Sequence, residues 1–380
     1  MLIEQTRIIN KKFIELVRKE TVLVIAWVLA IISAFFVKPN IKYIDYIDFR
    51  TLGILWSLMV IMEGLSCNGL FEKIGYKLLK KTKNVWQLSI TLVFICFFSS
   101  MLITNDVALI TFVPFTMMIL GKCEKQNLLI PIIVLQTIAA NLGSMLTPIG
   151  NPQNLYLYGL WGVNIFTFIK TILPYSIVSF FLLLLFLFFI KDKKSKIVVD
   201  GKENDIIQYK GNLFFYVILF VIALGTVFKL IPYYILIFLV FIVVFFIQRN
   251  VLYKIDYALL FTFIGFFIFT GNIGSLPMAN KYLASIVIGN EIGIGVLASQ
   301  VISNVPSALL LSGFTTNYKG LLIGVNVGGL GTLIASMASL ISYKLYAHNN
   351  NSTKGKYLLY FTVVNIVFLV VLLILNTIIN

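Results

Sequence analysis

Apolar runs of membrane-span length recur along this chain from end to end, and no water-soluble fold could bury them all. TVLVIAWVLAIISAFFV (21–37) and KYLLYFTVVNIVFLVVLLILNTII (356–379) are two of them. A helix needs about 20 mainly apolar residues to cross the hydrocarbon core, and helices satisfy their own backbone groups there. With 59% hydrophobic and only 12% charged residues in 380, the chain reads as an all-α polytopic membrane protein. Its longest polar stretch, 191–212, is too short for a separate soluble domain.

A formal charge of +15 would suit a nucleic-acid binder, but the placement of the charge argues otherwise. Lys and Arg gather in RIINKKFIELVRK (7–19), KIGYKLLKKTK (73–83) and KDKKSK (191–196), between apolar runs. That is the pattern of cytoplasmic loops, so a lipid bilayer is the expected partner and nucleic acid is not. The polar, charged residues before position 21 are followed by no small-residue cleavage site, so the first span is expected to be retained. This gives a cytoplasmic-membrane protein with its N-terminus inside.

Threading the chain under this rule gives nine full crossings and two re-entrant hairpins. The first hairpin spans 85–120 and turns at Thr104, Asn105 and Asp106; the second spans 293–314 and turns at Ser303 and Asn304. Lys and Arg then divide 23 inside to 7 outside. The expected organisation is a cytoplasmic N-terminal segment (1–20), a first repeat (21–190), a cytoplasmic linker (191–212), a linking span (213–231) and a second repeat (232–380).

The repeat is read from the chain itself. NLGSMLTPIGNPQNLYLYGL (141–160) and NVGGLGTLIASMASLISYKL (326–345) align without a gap, and seven of 20 positions are identical. TNDVAL (104–109) parallels SNVPSAL (303–309), and IDF (47–49) parallels IDY (255–257). Each copy reads span, span, polar-tipped hairpin, broken crossing, span. The threading runs the copies in opposite directions, the arrangement of secondary transporters, whose site lies where two interrupted helices meet. The polar, glycine-rich interruptions are expected to bind a polar ligand. Freed carbonyls suit a cation, and half-helix N-termini suit an anion.

LITNDVALITFVPF, ANLGSMLTPIGNPQNLY, SQVISNVPSALLL and GVNVGGLGTLIASMASL resemble, in order, the motifs of the citrate-transporter-like domain of the ion transporter superfamily. That group includes divalent-anion/sodium symporters, arsenite-efflux membrane subunits and sodium/proton antiporters. The chain is most similar to its bacterial anion-permease branch. The resemblance implies an ion-coupled permease for a small anion, with a scaffold part and a moving part, Na⁺ or H⁺ as coupling ion, and often a homodimer. Sodium/proton antiport and arsenite-type efflux are the alternatives. Sodium-dicarboxylate members carry Ser-Asn-Thr at each tip, whereas this chain has Thr104-Asn105-Asp106 and Ser303-Asn304-Val305. Arsenite-efflux members share the Asn-Asp pair of the first tip.

Candidate substrate or ion ligands are Thr104, Asn105, Asp106, Ser303 and Asn304 at the tips. Asn141, Thr147, Gly150, Asn151, Gln153 and Asn154 come from the first interruption; Asn326, Thr332, Ser336 and Ser339 come from the second. Sodium is expected at Asn105, Asp106 and Asn304. Two readings of Asp106 stand: a carboxylate at membrane depth that binds an ion or carries a proton, and a helix N-cap. The tip asparagines also suit turn chemistry. Asp48 and Asp256 read as caps, Lys170, Lys229 and Lys344 as interfacial anchors, and Cys67, Cys96 and Cys123 as apolar filler. The chain has no HExxH, no P-loop and a single histidine, His348, in a polar loop. Zinc hydrolysis, Ser/His catalysis and an internal ATPase therefore lack parts. No cofactor is expected.

Overall fold

In a computed structural model, residues 20–190, 194–196, 212–348 and 353–379 are described. The described residues form helices without strands, as the span lengths require. The expected N-terminal segment and most of the expected linker lie outside them.

The first half contains α1 (Thr21–Phe36), the short α2 (Lys42–Tyr46), α3 (Phe49–Cys67) and α4 (Leu70–Leu79). Its hairpin follows as α5 (Val85–Ser99) and α6 (Asn105–Lys122). Its broken crossing is α7 (Leu129–Ser144) and α8 (Pro152–Trp161), and α9 (Ile165–Phe188) closes the half. Helix α10 (Leu213–Val227) stands between the halves. The second half has α11 (Tyr233–Gln248), α12 (Tyr257–Gly274) and α13 (Pro277–Val287). Then come hairpin arms α14 (Glu291–Ile302) and α15 (Asn304–Leu311), broken-crossing arms α16 (Tyr318–Val327) and α17 (Met337–Ala347), and α18 (Lys354–Ile379).

Apart from α2, the two halves therefore repeat helix by helix, and local chemistry repeats with them. Asp48 accepts the Thr51 amide at 2.9 Å, and Asp256 accepts the Leu259 amide at 3.2 Å. Their backbones match closely, at φ −78°, ψ 83° and φ −79°, ψ 86°. Both are N-caps, as their positions imply. The five-residue α2 was not foreseen, nor were α4 and α13, short helices between the second span and the hairpin of each half. At about three turns each they are too short to register as spans, and α13 meets α14 at a bend of 103°.

Seven described helices are long and apolar enough to cross a membrane, or eight if the bent pair counts as one span. The expected count of nine divides differently for a physical reason. Helices α1 and α10 are apolar but only 16 and 15 residues long, and the second interrupted crossing is split into arms of 10 and 11 residues, whereas Gln126–Ser144 of the first, α7 with the turn before it, is long enough by itself. Conversely, α6, assigned to a re-entrant arm, is 18 residues long and meets the length of a span.

Packing between the halves is reciprocal. Helix α1 lies on α12, and α11 lies on α3, so the first span of each half packs on the second span of the other. Helix α6 packs on α17, and α15 packs on α8. Exchange of this kind is what a two-fold relation between halves produces. Small residues permit the close approach: a Cβ on Gly265 would lie 3.1 Å from Ala26, where α12 meets α1.

Candidate functional site

Both hairpins end in an asparagine that starts a helix, and both asparagines turn their side chains onto their own backbone. Asn105 Oδ1 accepts the Asp106 amide at 2.9 Å, and Asn304 Oδ1 accepts the Val305 amide at 3.0 Å. Each satisfies one of the donors that a helix N-terminus leaves free. Asp106 is thus not the cap. It lies in the first turn of α6, and its buried Oδ1 has no hydrogen-bond partner in the protein. Thr104 precedes it in extended backbone and makes no capping bond. The second tip is sharper. One residue, Ser303, turns the chain at φ 75° and ψ 156°, a region costing a non-glycine residue about 1–3 kcal/mol.

Each tip is fastened to the interruption of its own half, and the carbonyls that accept, Gly150 O and Ala335 O, are repeat equivalents. The Asn105 amide donates to Gly150 O at 3.2 Å, and Ser303 Oγ donates to Ala335 O at 3.5 Å. Thr147 Oγ1 donates to Met101 O, and Thr332 Oγ1 donates to Gln300 O at 3.3 Å. Both carbonyls stand four residues before the tip asparagine. The two threonines thus hold interruption to hairpin, and Thr332 is itself exposed. Gly143 and Gly328 complete the contact. Added Cβ atoms would lie 2.7 Å from Ser100 Oγ and 2.8 Å from Ser299 Oγ, and the Gly143 one only 2.1 Å from Phe97 O.

The carbonyls freed by each interruption are gathered by one amide side chain. In the first, Asn154 Nδ2 reaches Ser144 O, Met145 O and Thr147 O at 3.3, 3.1 and 3.1 Å. In the second, Gln300 Nε2 donates to Gly328 O and Leu330 O, both at 2.9 Å, while Gln300 Oε1 accepts the Thr332 amide at 2.9 Å. Gln300 and Ser144 were absent from the sequence reading. Ser144 is fully buried, and its Oγ accepts from Asn151 Nδ2 at 2.7 Å. A glutamine inside the apolar arm GIGVLASQVI was the available signal.

The two interruptions then meet. Asn326 Nδ2 donates to Asn154 Oδ1 at 2.7 Å, and Asn141 Nδ2 donates to Ser339 Oγ at 3.3 Å. Asn326 is the repeat equivalent of Asn141, and Ser339 of Asn154, so the contact is reciprocal. Asn141 Oδ1 also accepts from Asn105 Nδ2 at 3.0 Å and from Ser336 Oγ at 2.9 Å. Ser144 joins the two sets, because its Oγ donates to Asn141 O at 2.9 Å and its carbonyl accepts from Asn154, so Asn105, Asn141, Asn154, Asn326, Ser336 and Ser339, all buried, are connected in one cluster. Several polar atoms around it have no protein partner: Asn151 Oδ1, both amide atoms of Gln153, Asn326 Oδ1 and Asp106 Oδ1. Native buried polar atoms are rarely left so.

The N-termini of α6, α8, α15 and α17 all start at these tips and interruptions, and α5, α7, α14 and α16 end there. Amide ends favour negative charge and carbonyl ends favour cations. Apart from Asp106, the sequence-predicted site residues are amides, hydroxyls and one glycine. The arrangement can coordinate a small polar ligand and a cation together; it supplies no nucleophile–base pair.

Comparison with known proteins agrees with this geometry. Residues 8–320 match the citrate transporter family, a match that ends before the second interruption. An uncharacterized transporter of Methanocaldococcus jannaschii is 35% identical over 329 residues, covering 86% of this chain and 88% of that one. The inner membrane protein YbiR of Escherichia coli is 31% identical over 316 residues, 79% of this chain and 80% of that one. A silicon efflux transporter of Oryza sativa subsp. japonica is 31% identical over 129 residues, 34% of this chain and 26% of that one. With paired interruptions, a family match over residues 8–320 and a 35% identical transporter of which 88% is covered, the chain belongs to the citrate transporter family of membrane transporters.

Proposed function

We propose that this protein is an ion-coupled secondary transporter that carries a small anion, a carboxylate or an inorganic oxyanion, across the cytoplasmic membrane. One observation carries the reading: buried polar atoms of Asp106, Asn151, Gln153 and Asn326 have no protein partner where four helix N-termini converge. An anion held by amides and helix ends needs no Arg or Lys at membrane depth. Asp106 supplies the one carboxylate, suited to Na⁺ or a proton, with Asn105 beside it and Asn304 at the equivalent tip. The reciprocal contacts between the halves support a two-fold relation between the repeats, which we take to be inverted, with the axis in the membrane plane. Rocking of the hairpin-bearing body against α1, α3, α11 and α12 would then give alternating access.

Thermal unfolding of the purified protein tests the reading. Di- and tricarboxylates, sulfate, phosphate and arsenite are each added with and without Na⁺. A ligand at 100 times its Kd adds about 2.7 kcal/mol of stability. Stabilisation by one anion, deeper with Na⁺, is the expected result. Stabilisation by Na⁺ alone would turn the reading to sodium/proton antiport. Topology has its own test: single cysteines at Lys122 and Thr316 should label from opposite faces.

A further inference from the structure

Helix α4 keeps its buried and its exposed residues apart. Phe71, Tyr76 and Leu79 are buried, and Gly75 lies against the first hairpin, where an added Cβ would stand 3.1 Å from Phe115 of α6. Ile74 and Leu78 are each 44% exposed. Lys77 is exposed on the same helix, and Lys80, Lys81 and Lys83 follow it, all exposed. Glu72 is the one acid of α4, and it is half-buried.

A distant segment brings more charge to this place. Asn84 pairs with Lys196 in an antiparallel bridge, and the Val85 amide donates to Ser195 O at 3.1 Å. Lys194 and Lys196 are exposed there. The receiving edge is built by local bonds. Gln87 Oε1 accepts the Lys83 amide at 2.8 Å, and Asn84 Oδ1 accepts the Gln87 amide at 2.9 Å. Trp86, 38% exposed, sits in the same first turn of α5. The charge pattern puts both segments on the expected cytoplasmic side. Topology asks only for lysines on that side; it does not ask that two segments be bridged into one patch.

The repeat supplies the comparison. Helix α13 holds the place of α4 in the second half, and it too exposes apolar residues, Met278, Tyr282 and Ile286. Its one charged residue is Lys281. The apolar part of the surface is common to both halves and suits a membrane interface. The cationic part belongs to the first half alone, and clustered lysines beside an apolar face suit anionic headgroups.

We propose that α4, residues 80–83 and the bridged residues 194–196 form a binding surface for anionic phospholipid. Headgroup phosphates lie among the lysines, and Ile74, Leu78 and Trp86 enter the acyl boundary. Lipid bound there holds the mouth of the first hairpin, because α4 packs on α6 and the bridge sits at the start of α5. Helix α13 meets the interface without preference for charge. The inference rests on the membrane setting and is independent of what is transported.

Trp86 is the reporter. The full-length protein carries Trp27→Phe, Trp56→Phe and Trp161→Phe and is reconstituted in phosphatidylcholine with phosphatidylglycerol as the minor lipid. Quenching by bromine on the acyl chains of one lipid or the other gives the composition beside Trp86. Phosphatidylglycerol should exceed its bulk share at least about threefold, within what one lysine contributes at an anionic surface. Lys194→Gln with Lys196→Gln should remove about half of the enrichment. Adding Lys80→Gln, Lys81→Gln and Lys83→Gln should bring it to the bulk share, while brominated phosphatidylcholine still quenches. A second reporter, Tyr282→Trp with Trp86→Phe, should read the bulk share throughout. Native mass spectrometry checks the result with all tryptophans in place: phosphatidylglycerol should stay bound longer than phosphatidylcholine, and the five lysine changes should abolish the difference. Bulk composition at Trp86, enrichment indifferent to the two linker lysines, or equal enrichment at position 282 would overturn the proposal. Loss of the enrichment on adding inorganic polyphosphate would also overturn it, by assigning the surface to a soluble polyanion.

Discussion

The two interruptions meet the same requirement with different residues. Each frees backbone carbonyls inside a membrane protein, where unsatisfied groups are costly. In the first, the gathering amide is Asn154, on the arm just beyond the break. In the second it is Gln300, on the hairpin. The first tip takes several residues to turn and carries a carboxylate, Asp106; the second turns on Ser303 alone and carries Val305 instead. Some donors and acceptors keep their positions between the halves, Asn105 with Asn304, Asn141 with Asn326 and Thr147 with Thr332, while the gathering amide and the charge do not. The ionisable chemistry of the tips thus belongs to the first half, and the second half contributes geometry.

The sharpest way to break this contrast is to move the charge. Asp106→Asn should lower ion-driven transport in proteoliposomes at least a thousandfold, ~4 kcal/mol of barrier, while the protein still elutes as a folded species. Val305→Asp added to that variant should not rescue it. Recovery would mean that the tips are interchangeable.

The clamps come next. Asn154→Ala removes a fully buried amide that serves three carbonyls and Asn326, and should cost about 3 kcal/mol of apparent stability in thermal unfolding. Gln300→Ala, at a partly exposed position, should cost about 1–2 kcal/mol. Equal losses would remove the difference between an internal clamp and one borrowed from the hairpin.

Crowding should follow the same ranking. Gly143→Ala drives a Cβ into the Phe97 carbonyl, which moves only with α5, and should cost about 2 kcal/mol; Gly328→Ala, less confined, should cost about 1 kcal/mol. The smallest effect has the opposite sign. Ser303→Gly should raise stability by about 1 kcal/mol, because glycine occupies this backbone region without strain. A loss of stability would mean that the Ser303 hydroxyl, bonded to Ala335 O, outweighs the strain it sits in.

Much of the site could be read along the chain. Asn105 and Asn304 announced themselves as polar residues inside apolar runs, and Asn141, Asn154, Asn326 and Ser339 as aligned positions of two matching segments. Gln300 escaped because its repeat equivalent is Met101, so alignment of the halves hides it. Its partners lie 28 to 32 residues further on, which no local pattern links to it. The capping reading of Asp106 failed for a related reason: either of two adjacent polar side chains could have capped, and the backbone turn selected Asn105.

By itself, then, the sequence determined the membrane setting, the helical class, the two interruptions and their repetition. Those follow from span length and from the need of a backbone in lipid to satisfy itself, and both requirements act over short stretches of chain. The tertiary structure alone decided which amide serves which freed carbonyl and which polar atoms are left for a ligand. A carbonyl released by a break accepts from any donor brought within about 3 Å. Only the packing of distant helices brings Asn154 to one set of carbonyls and Gln300 to the other.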